Sequence, residues 1–336
     1  MSNIAIIGGG SWGLAISLVL YNNNHRVKVW EYLPENVEKL NQQRQNDDYL
    51  KGVIFPEDIV FSNNIDDVIL QDTDILVFAV PSSFLRKTVQ FCKHNISRLS
   101  NLKSIVSLVK GLEENSLKRM SEVIKEELPL HFEDKICSLS GPSHAEEVAK
   151  QIPTLVVVAG SNLDVLQYTQ NNFSNSYLRV YTSVDIIGIE IGAAVKNIIA
   201  IAAGIVSGLG FGDNTMGALL TRGLAEIKRL GCALNAEPDT FSGLSGLGDL
   251  ITTSISVHSR NRHVGYELGK GKTLETILSE MVMIAEGVIT TKNIRELKDR
   301  LGVSMPITEQ MYQILYHGKP AIDGLKDLML RDLRCE

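Results

Sequence analysis

Ile4-Ala5-Ile6-Ile7-Gly8-Gly9-Gly10-Ser11-Trp12-Gly13-Leu14-Ala15-Ile16-Ser17-Leu18-Val19-Leu20 is the stretch on which the fold turns. Four apolar residues near the start of the chain read as a strand buried on both faces. Gly8, Gly10 and Gly13 then fall at G-x-G-x-x-G spacing. In that pattern the first glycine permits a tight turn, the second lets backbone approach a pyrophosphate, and the third lets the next helix pack close to the strand. The apolar run from Leu14 reads as that helix, with its free amides and positive dipole end aimed at an anion. Three glycines can also make a turn with no ligand, so the context decides. Val27-Lys28-Val29-Trp30 supplies a second strand where a βαβ unit requires one. Glu31 ends it, at the place where an acid reads the adenosine ribose. The combination predicts a dinucleotide-binding unit.

Outward from this unit the first half keeps an α/β rhythm. Pro34 to Gln45 reads as a helix, Asn46 to Lys51 as a polar loop, and Asp74 to Val80 as an apolar strand stopped by Pro81. Pro81 is either a cofactor neighbour at a strand's carboxyl end or an ordinary turn proline. Ser82 or Ser83 can cap the helix that follows. Ser104 to Leu108 is the next strand, and Lys110-Gly111 lies just past its end. Lys110 reads equally as a crevice lysine or a solvated one. Asn115 to Leu128 has an amphipathic helical pattern. Lys135 to Ser140 is a strand, and Gly141-Pro142-Ser143-His144 with two acids after it is good helix-start chemistry, with a serine cap. His144 reads as structural rather than as a catalytic base. Pro153 to Ala159 and Leu178 to Tyr181 add strands. Together these predict a mostly parallel, Rossmann-type sheet of about six to eight strands with helices on both faces.

Near Asp185 the pattern changes. Strand signals fade and helices dominate, which predicts a dinucleotide-binding domain over 1–187 and an all-helical substrate and catalytic domain over 188–336. Glu190 to Ile205 reads as one apolar helix interrupted by Lys196 and Asn197. Gly192 and Ala200 flank Lys196 one turn away on the same face. A snorkelling lysine is the plain alternative. The lack of other charges nearby favours a desolvated amine, which burial would make a usable proton acceptor. Gly208 to Gly217 reads as a glycine-rich loop, Thr221 to Leu234 as a helix. Gly243-Leu244-Ser245-Gly246-Leu247-Gly248-Asp249 suits close packing on a ligand, with Asp249 a ligand or a helix cap. Ser259-Arg260-Asn261-Arg262-His263 is a local basic cluster, either an anion site or a solvated turn. Lys292 to Leu301 and Pro306 to Tyr316 read as helices.

Composition limits the classes of function. A net charge of −6 gives no general affinity for nucleic acid or anionic membrane, so any phosphate-binding groups must be local. Cys92, Cys137, Cys232 and Cys335 are scattered without a C-x-x-C pair, which suggests reduced cytosolic thiols and no zinc site. The first strand begins almost at once, leaving no room for a signal peptide, and apolar runs such as Ile198 to Val206 are too short to span a bilayer.

These blocks together resemble the bacterial-type NAD(P)-dependent glycerol-3-phosphate dehydrogenases, from end to end. The likeness rests on Gly8 to Gly13, Lys110-Gly111, Ser140-Gly141-Pro142-Ser143, Gly192-Ala193-Ala194-Val195-Lys196-Asn197, Gly246 to Leu250, Ser259-Arg260-Asn261-Arg262, Glu286-Gly287 and Met305-Pro306-Ile307. The resemblance implies a Rossmann domain followed by a helical domain similar to that of 6-phosphogluconate dehydrogenase. It implies interconversion of sn-glycerol 3-phosphate and dihydroxyacetone phosphate with NAD or NADP, feeding glycerophospholipid synthesis in the cytoplasm. A homodimer without membrane insertion is expected. Carried over residue by residue, the likeness makes Lys196 the proton acceptor and donor. Lys110, Gly141, Ser143, Asp249, Ser259, Arg260 and Asn261 would bind substrate beside it. Ser11, Trp12, Lys110, Ala145, Arg260, Ile284 and Glu286 would touch the dinucleotide, with Gly8, Gly10 and Gly13 forming its loop. No metal is expected. Many members carry a base after the second strand, where this chain has Trp30-Glu31-Tyr32-Leu33, so Glu31 predicts a preference for NAD. Gly9 stands where alanine is usual, a small departure. A related hydroxyacid or 6-phosphogluconate-type dehydrogenase would share the lysine but not the cluster at Ser259 to Asn261. A catalytically silent nicotinamide-binding sensor would need no buried lysine.

Overall fold

The computed structural model describes residues 1–281 and 283–333. Cys335 and the end of the charged tail lie outside the described residues. Two compact units form, residues 1–113 with 118–190, and residues 114–117 with those from 191 on.

The first unit is built on an eight-stranded sheet in the order β3-β2-β1-β4-β5-β6-β7-β8. The strands are β1 (Asn3–Ile7), β2 (Arg26–Trp30), β3 (Val60–Ser62), β4 (Ile75–Phe78), β5 (Ser104–Ser107), β6 (Ile136–Ser140), β7 (Thr154–Gly160) and β8 (Leu178–Ser183). The first six run parallel, β7 is antiparallel to β6, and β8 is parallel to β7. Side chains alternate across each strand, so Ile4, Ile6 and Val77 enter one core and Ala5, Ile7, Leu76 and Phe78 the other. Both faces are buried, which is why these strands are uninterrupted apolar runs. Helices α1 (Ser11–Asn22), α2 (Pro34–Gln43), α3 (Ile65–Val68), α4 (Leu85–Ile96), α5 (Met120–Glu127), α6 (Ala145–Ala149) and α7 (Leu163–Phe173) complete the unit. Ile7 pairs with Trp30 on one side and Phe78 on the other, so chain order reverses at β1. Ligands in such sheets lie outside the carboxyl ends of the strands at this reversal.

Two local expectations change here. Residues 115–119 are not helical, because Asn115 and Leu117 take φ values of 69° and 59°. Leu112 bridges Arg119, and the amide of Glu113 donates to Lys118 O, so the segment doubles back before α5 begins. Ser143 does not cap α6. Its hydroxyl donates back to Gly141 O at 2.9 Å, and His144 takes the N-cap position. A buried ion network follows from the position of Arg119. Glu190 accepts from Arg119 Nη1, the Ser121 amide and hydroxyl, and the Ser138 hydroxyl, all within 2.7–2.8 Å.

The second unit is helical. It takes most of α8 (Ile186–Gly208) and contains α9 (Asp213–Ala233), α10 (Asp249–Ile255), α11 (Arg260–Gly269), α12 (Leu274–Glu280), α13 (Glu286–Arg300), α14 (Pro306–His317) and α15 (Ala321–Met329). At 23 residues α8 is long and apolar enough to cross a membrane, contrary to the reading of short apolar runs, but 89% of its most apolar window is buried in the fold. The glycine-rich stretch is also largely helix: α8 runs through Gly208 and α9 starts at Asp213. Of its glycines Gly208 serves packing, a Cβ on it lying 2.4 Å from Tyr266 O, while Gly210, Gly212 and Gly217 face open space. A Cβ on Gly204 would lie 2.1 Å from Arg262 O, and one on Gly265 would lie 1.8 Å from Ile201 O. Backbone of α8 therefore touches backbone of α11 directly.

Glu226 on α9 is buried and caps α14 from outside. It accepts from the amides of Ile307 and Thr308 and from the Thr308 hydroxyl. Removing it strands these donors, so Glu226→Ala should cost about 3 kcal/mol of stability in chemical denaturation. Burial raises the Glu226 carboxyl against those donors. An acid whose folded pKa is raised is favoured protonated in the fold, so its ionisation removes stability as pH rises above the ordinary carboxyl range.

Candidate active site

The glycine loop joins β1 to α1 at the reversal point. Gly8 has φ of 120°, and a Cβ there would meet the backbone of Ala79 at 2.7 Å. A Cβ on Gly13 would lie 2.0 Å from Gly8 O, so α1 sits hard against the loop. Gly10 is different: a Cβ there meets no atom within 4 Å. The open side at Gly10, above a helix start with no side-chain cap, fits a dinucleotide pyrophosphate. Ser11 is the first residue of α1. Trp12 packs against the core, and its buried Nε1 has no protein partner. Ala145 opens α6 and packs in the same core.

Glu31 follows β2 and is 6% exposed. Its Oε1 accepts from the Leu33 amide at 3.1 Å and from Asn36 Nδ2 at 3.4 Å. Burial pushes its carboxyl up, opposed by donation from Leu33, Asn36 and the backbone of Gly9. Lys110, Gly141 and Ser143 come together past the ends of β5 and β6. Lys110 Nζ is 3.4 Å from Gly141 O, which also accepts from the Ser143 hydroxyl. Gly141 holds φ of 141°, and a Cβ on it would press on Val156 at 3.0 Å.

In the second unit Lys196 is 4% exposed. Its Nζ lies 2.6 Å from Asp249 Oδ1 and 2.7 Å from Thr253 Oγ1. Thr253 in turn donates to Asp249 Oδ1 at 3.1 Å. Burial alone would favour the neutral amine; the carboxylate favours the ammonium and fixes its position. Asp249 is the first residue of α10, reached through a π-helical turn over Leu244–Gly248. Thr253 was absent from the sequence reading. One turn past Asp249, its only signal is i,i+4 spacing from that acid. Ser259 caps α11 by accepting from the Arg262 amide, and Arg260 begins that helix exposed. Asn261 is buried, its Oδ1 accepting from the Gly287 amide at 2.9 Å. That bond ties α11 to the start of α13, where Glu286 is the first residue. Ile284 lines an apolar pocket of about 270 Å³ with Leu278, Met281, Met283, Ala285, Val288 and Ile289. Among the described residues no cluster of three His, Cys, Asp or Glu side chains is placed to hold a metal ion.

A family model described as NAD-dependent glycerol-3-phosphate dehydrogenase N-terminus matches residues 3–166, and its C-terminus counterpart matches residues 185–326. The chain belongs to this family. Among relatives, glycerol-3-phosphate dehydrogenase [NAD(P)+] of Geobacillus thermodenitrificans is 48% identical, over 100% of this chain and 97% of the relative. The Prosthecochloris aestuarii protein of the same name is 46% identical over 99% of both chains. The crystal structure of glycerol-3-phosphate dehydrogenase from Coxiella burnetii superposes with a TM-score of 0.92 at 32% identity, covering 98% of this chain and 99% of that one. As a glycerol-3-phosphate dehydrogenase the chain is an NAD(P)-dependent oxidoreductase acting on a small phosphorylated substrate.

Proposed function

We propose that this glycerol-3-phosphate dehydrogenase interconverts sn-glycerol 3-phosphate and dihydroxyacetone phosphate, with Lys196 handling the proton on the C2 oxygen. The observation that carries the reading is the buried Lys196 amine held between Asp249 and Thr253. A nicotinamide dinucleotide, when bound, supplies or accepts the hydride. Lys196 Nζ holds the C2 oxygen. As an ammonium it stabilises the developing alkoxide and gives its proton when the ketone is reduced; as an amine it takes that proton on oxidation. Asp249 orients Nζ and offsets its charge, and Thr253 fixes the carboxylate. Arg260 offers a planar fork to the substrate phosphate, with Ser259 and Asn261 setting where α11 begins. Lys110, Gly141 and Ser143 complete the polar contacts to substrate. Gly8, Gly10, Ser11, Trp12, Gly13, Ala145, Ile284 and Glu286 hold the dinucleotide. The same reading takes the enzyme as a cytoplasmic homodimer feeding glycerophospholipid synthesis, expectations that come from the family resemblance together with the scattered cysteines and the apolar helices of the second half.

Glu31 makes NAD the preferred cofactor, since a carboxylate pairs with a ribose hydroxyl and repels a 2′-phosphate. Steady-state reduction of dihydroxyacetone phosphate should give a kcat/KM with NADH at least about 10-fold above that with NADPH. A higher value with NADPH would show that Glu31 does not read the ribose. Running 2-oxo acids and the oxidation of 6-phosphogluconate in the same assay tests the substrate class, and faster turnover of either would overturn it.

A further inference from the structure

We propose that Gly9 is a specificity-determining residue, whose missing side chain leaves the space that the Glu31 carboxylate occupies beside the glycine loop. The proposal rests on the reading that Glu31 selects NAD. The three glycines before Ser11 are kept bare by different things. At Gly8 an added Cβ would strike the backbone of Ala79, and at Gly10 it would meet nothing. At Gly9 the three nearest atoms all belong to one side chain: Glu31 Oε2 at 2.5 Å, Cβ at 3.0 Å and Cδ at 3.3 Å. Gly9 is not among the residues with positive φ, so its backbone itself would accept alanine.

Glu31 has little freedom to step aside. Its amide is fixed to Ser62 O at 3.0 Å. Its Oε1 is held by the Leu33 amide and by Asn36, which is itself buried. A methyl group at position 9 therefore drives the carboxylate off the loop and breaks this set of bonds. The displaced acid no longer offers a fixed acceptor to a ribose hydroxyl, and no longer places its charge against a 2′-phosphate. Gly9 acts through Glu31 and is a positioning residue.

The test is a double-mutant cycle on the full chain, with kcat and KM for NADH and NADPH measured on wild type, Gly9→Ala, Glu31→Ala and the double variant. Gly9→Ala is expected to lower the NADH-to-NADPH ratio of kcat/KM about 10-fold, the loss of one charge-assisted hydrogen bond, mainly through a higher KM for NADH. In the Glu31→Ala background the same substitution should change the ratio by less than about 2-fold, since no carboxylate is left to displace. Equal effects in both backgrounds would overturn the proposal, because a general disturbance of the loop does not depend on residue 31. A Gly9→Ala enzyme with the wild-type ratio would overturn it as well, even with Glu31→Ala losing the preference. A wild type or a Glu31→Ala variant that shows no role for Glu31 in the ratio sinks the parent reading instead, so the two failures are distinct.

Discussion

Lys196→Ala lowers kcat for dihydroxyacetone phosphate reduction by about 10³-fold, within the range a positioned acid–base group contributes. The amine is the buried cation facing Asp249 and Thr253, and neither of those can replace it: one is a carboxylate, the other a hydroxyl that donates to it. Removing the cation leaves the Asp249 carboxylate buried, a change that costs stability in its own right. Thr253 Oγ1 still donates to that carboxylate, which limits the loss. Dinucleotide binding reports separately, because Lys196 is not among the residues assigned to hold the dinucleotide. NADH affinity measured by fluorescence should stay within about 3-fold of wild type, less than 1 kcal/mol. Loss of NADH binding together with turnover would point to unfolding; retained turnover would refute the role given to Lys196.

Gly265→Ala carries the largest expected effect on stability. Its Cβ would lie 1.8 Å from Ile201 O and 2.9 Å from Ile205 N, both on α8. Backbone atoms in the middle of a helix cannot rotate away as a side chain can, so α8 and α11 must separate. Overpacking of this kind costs about 3 kcal/mol or more. For a chain of this size the melting temperature should fall by roughly 4 °C. The separation also moves Ser259, Arg260 and Asn261, which sit at the start of α11, away from the helix that carries Lys196. The KM for dihydroxyacetone phosphate should rise along with the loss of stability. A variant melting with wild type would show that the two helices are not in backbone contact.

The first unit was legible because its signals are local. G-x-G-x-x-G, the first two strands and the acid after β2 all sit between Asn3 and Glu31, and each has a steric or electrostatic reason. β3 escaped notice because three residues cannot display an alternation. The turn before α5 was misread because its amphipathic pattern says nothing of the positive φ at Asn115 and Leu117. Gly208 read as part of a loop, yet with Gly204, Gly265 and Gly269 it makes the contact stripe of two helices. In the site, Lys196 was visible as a charge inside an apolar run. Its partners Asp249 and Thr253 are 53 and 57 residues away, and no spacing rule links residues that far apart. The same holds for Glu190, whose donors come from α5 and β6. Gly9 shows the limit most clearly: as a sequence difference it looked minor, and only the Glu31 side chain beside it gives it a purpose.

The most direct test of the central claim adds a small primary amine to Lys196→Ala and follows NADH oxidation by dihydroxyacetone phosphate. The account predicts turnover about 10³-fold below wild type without the amine, and a concentration-dependent recovery of at least about 10-fold with ethylamine. Turnover within about 10-fold of wild type before any amine is added would contradict it.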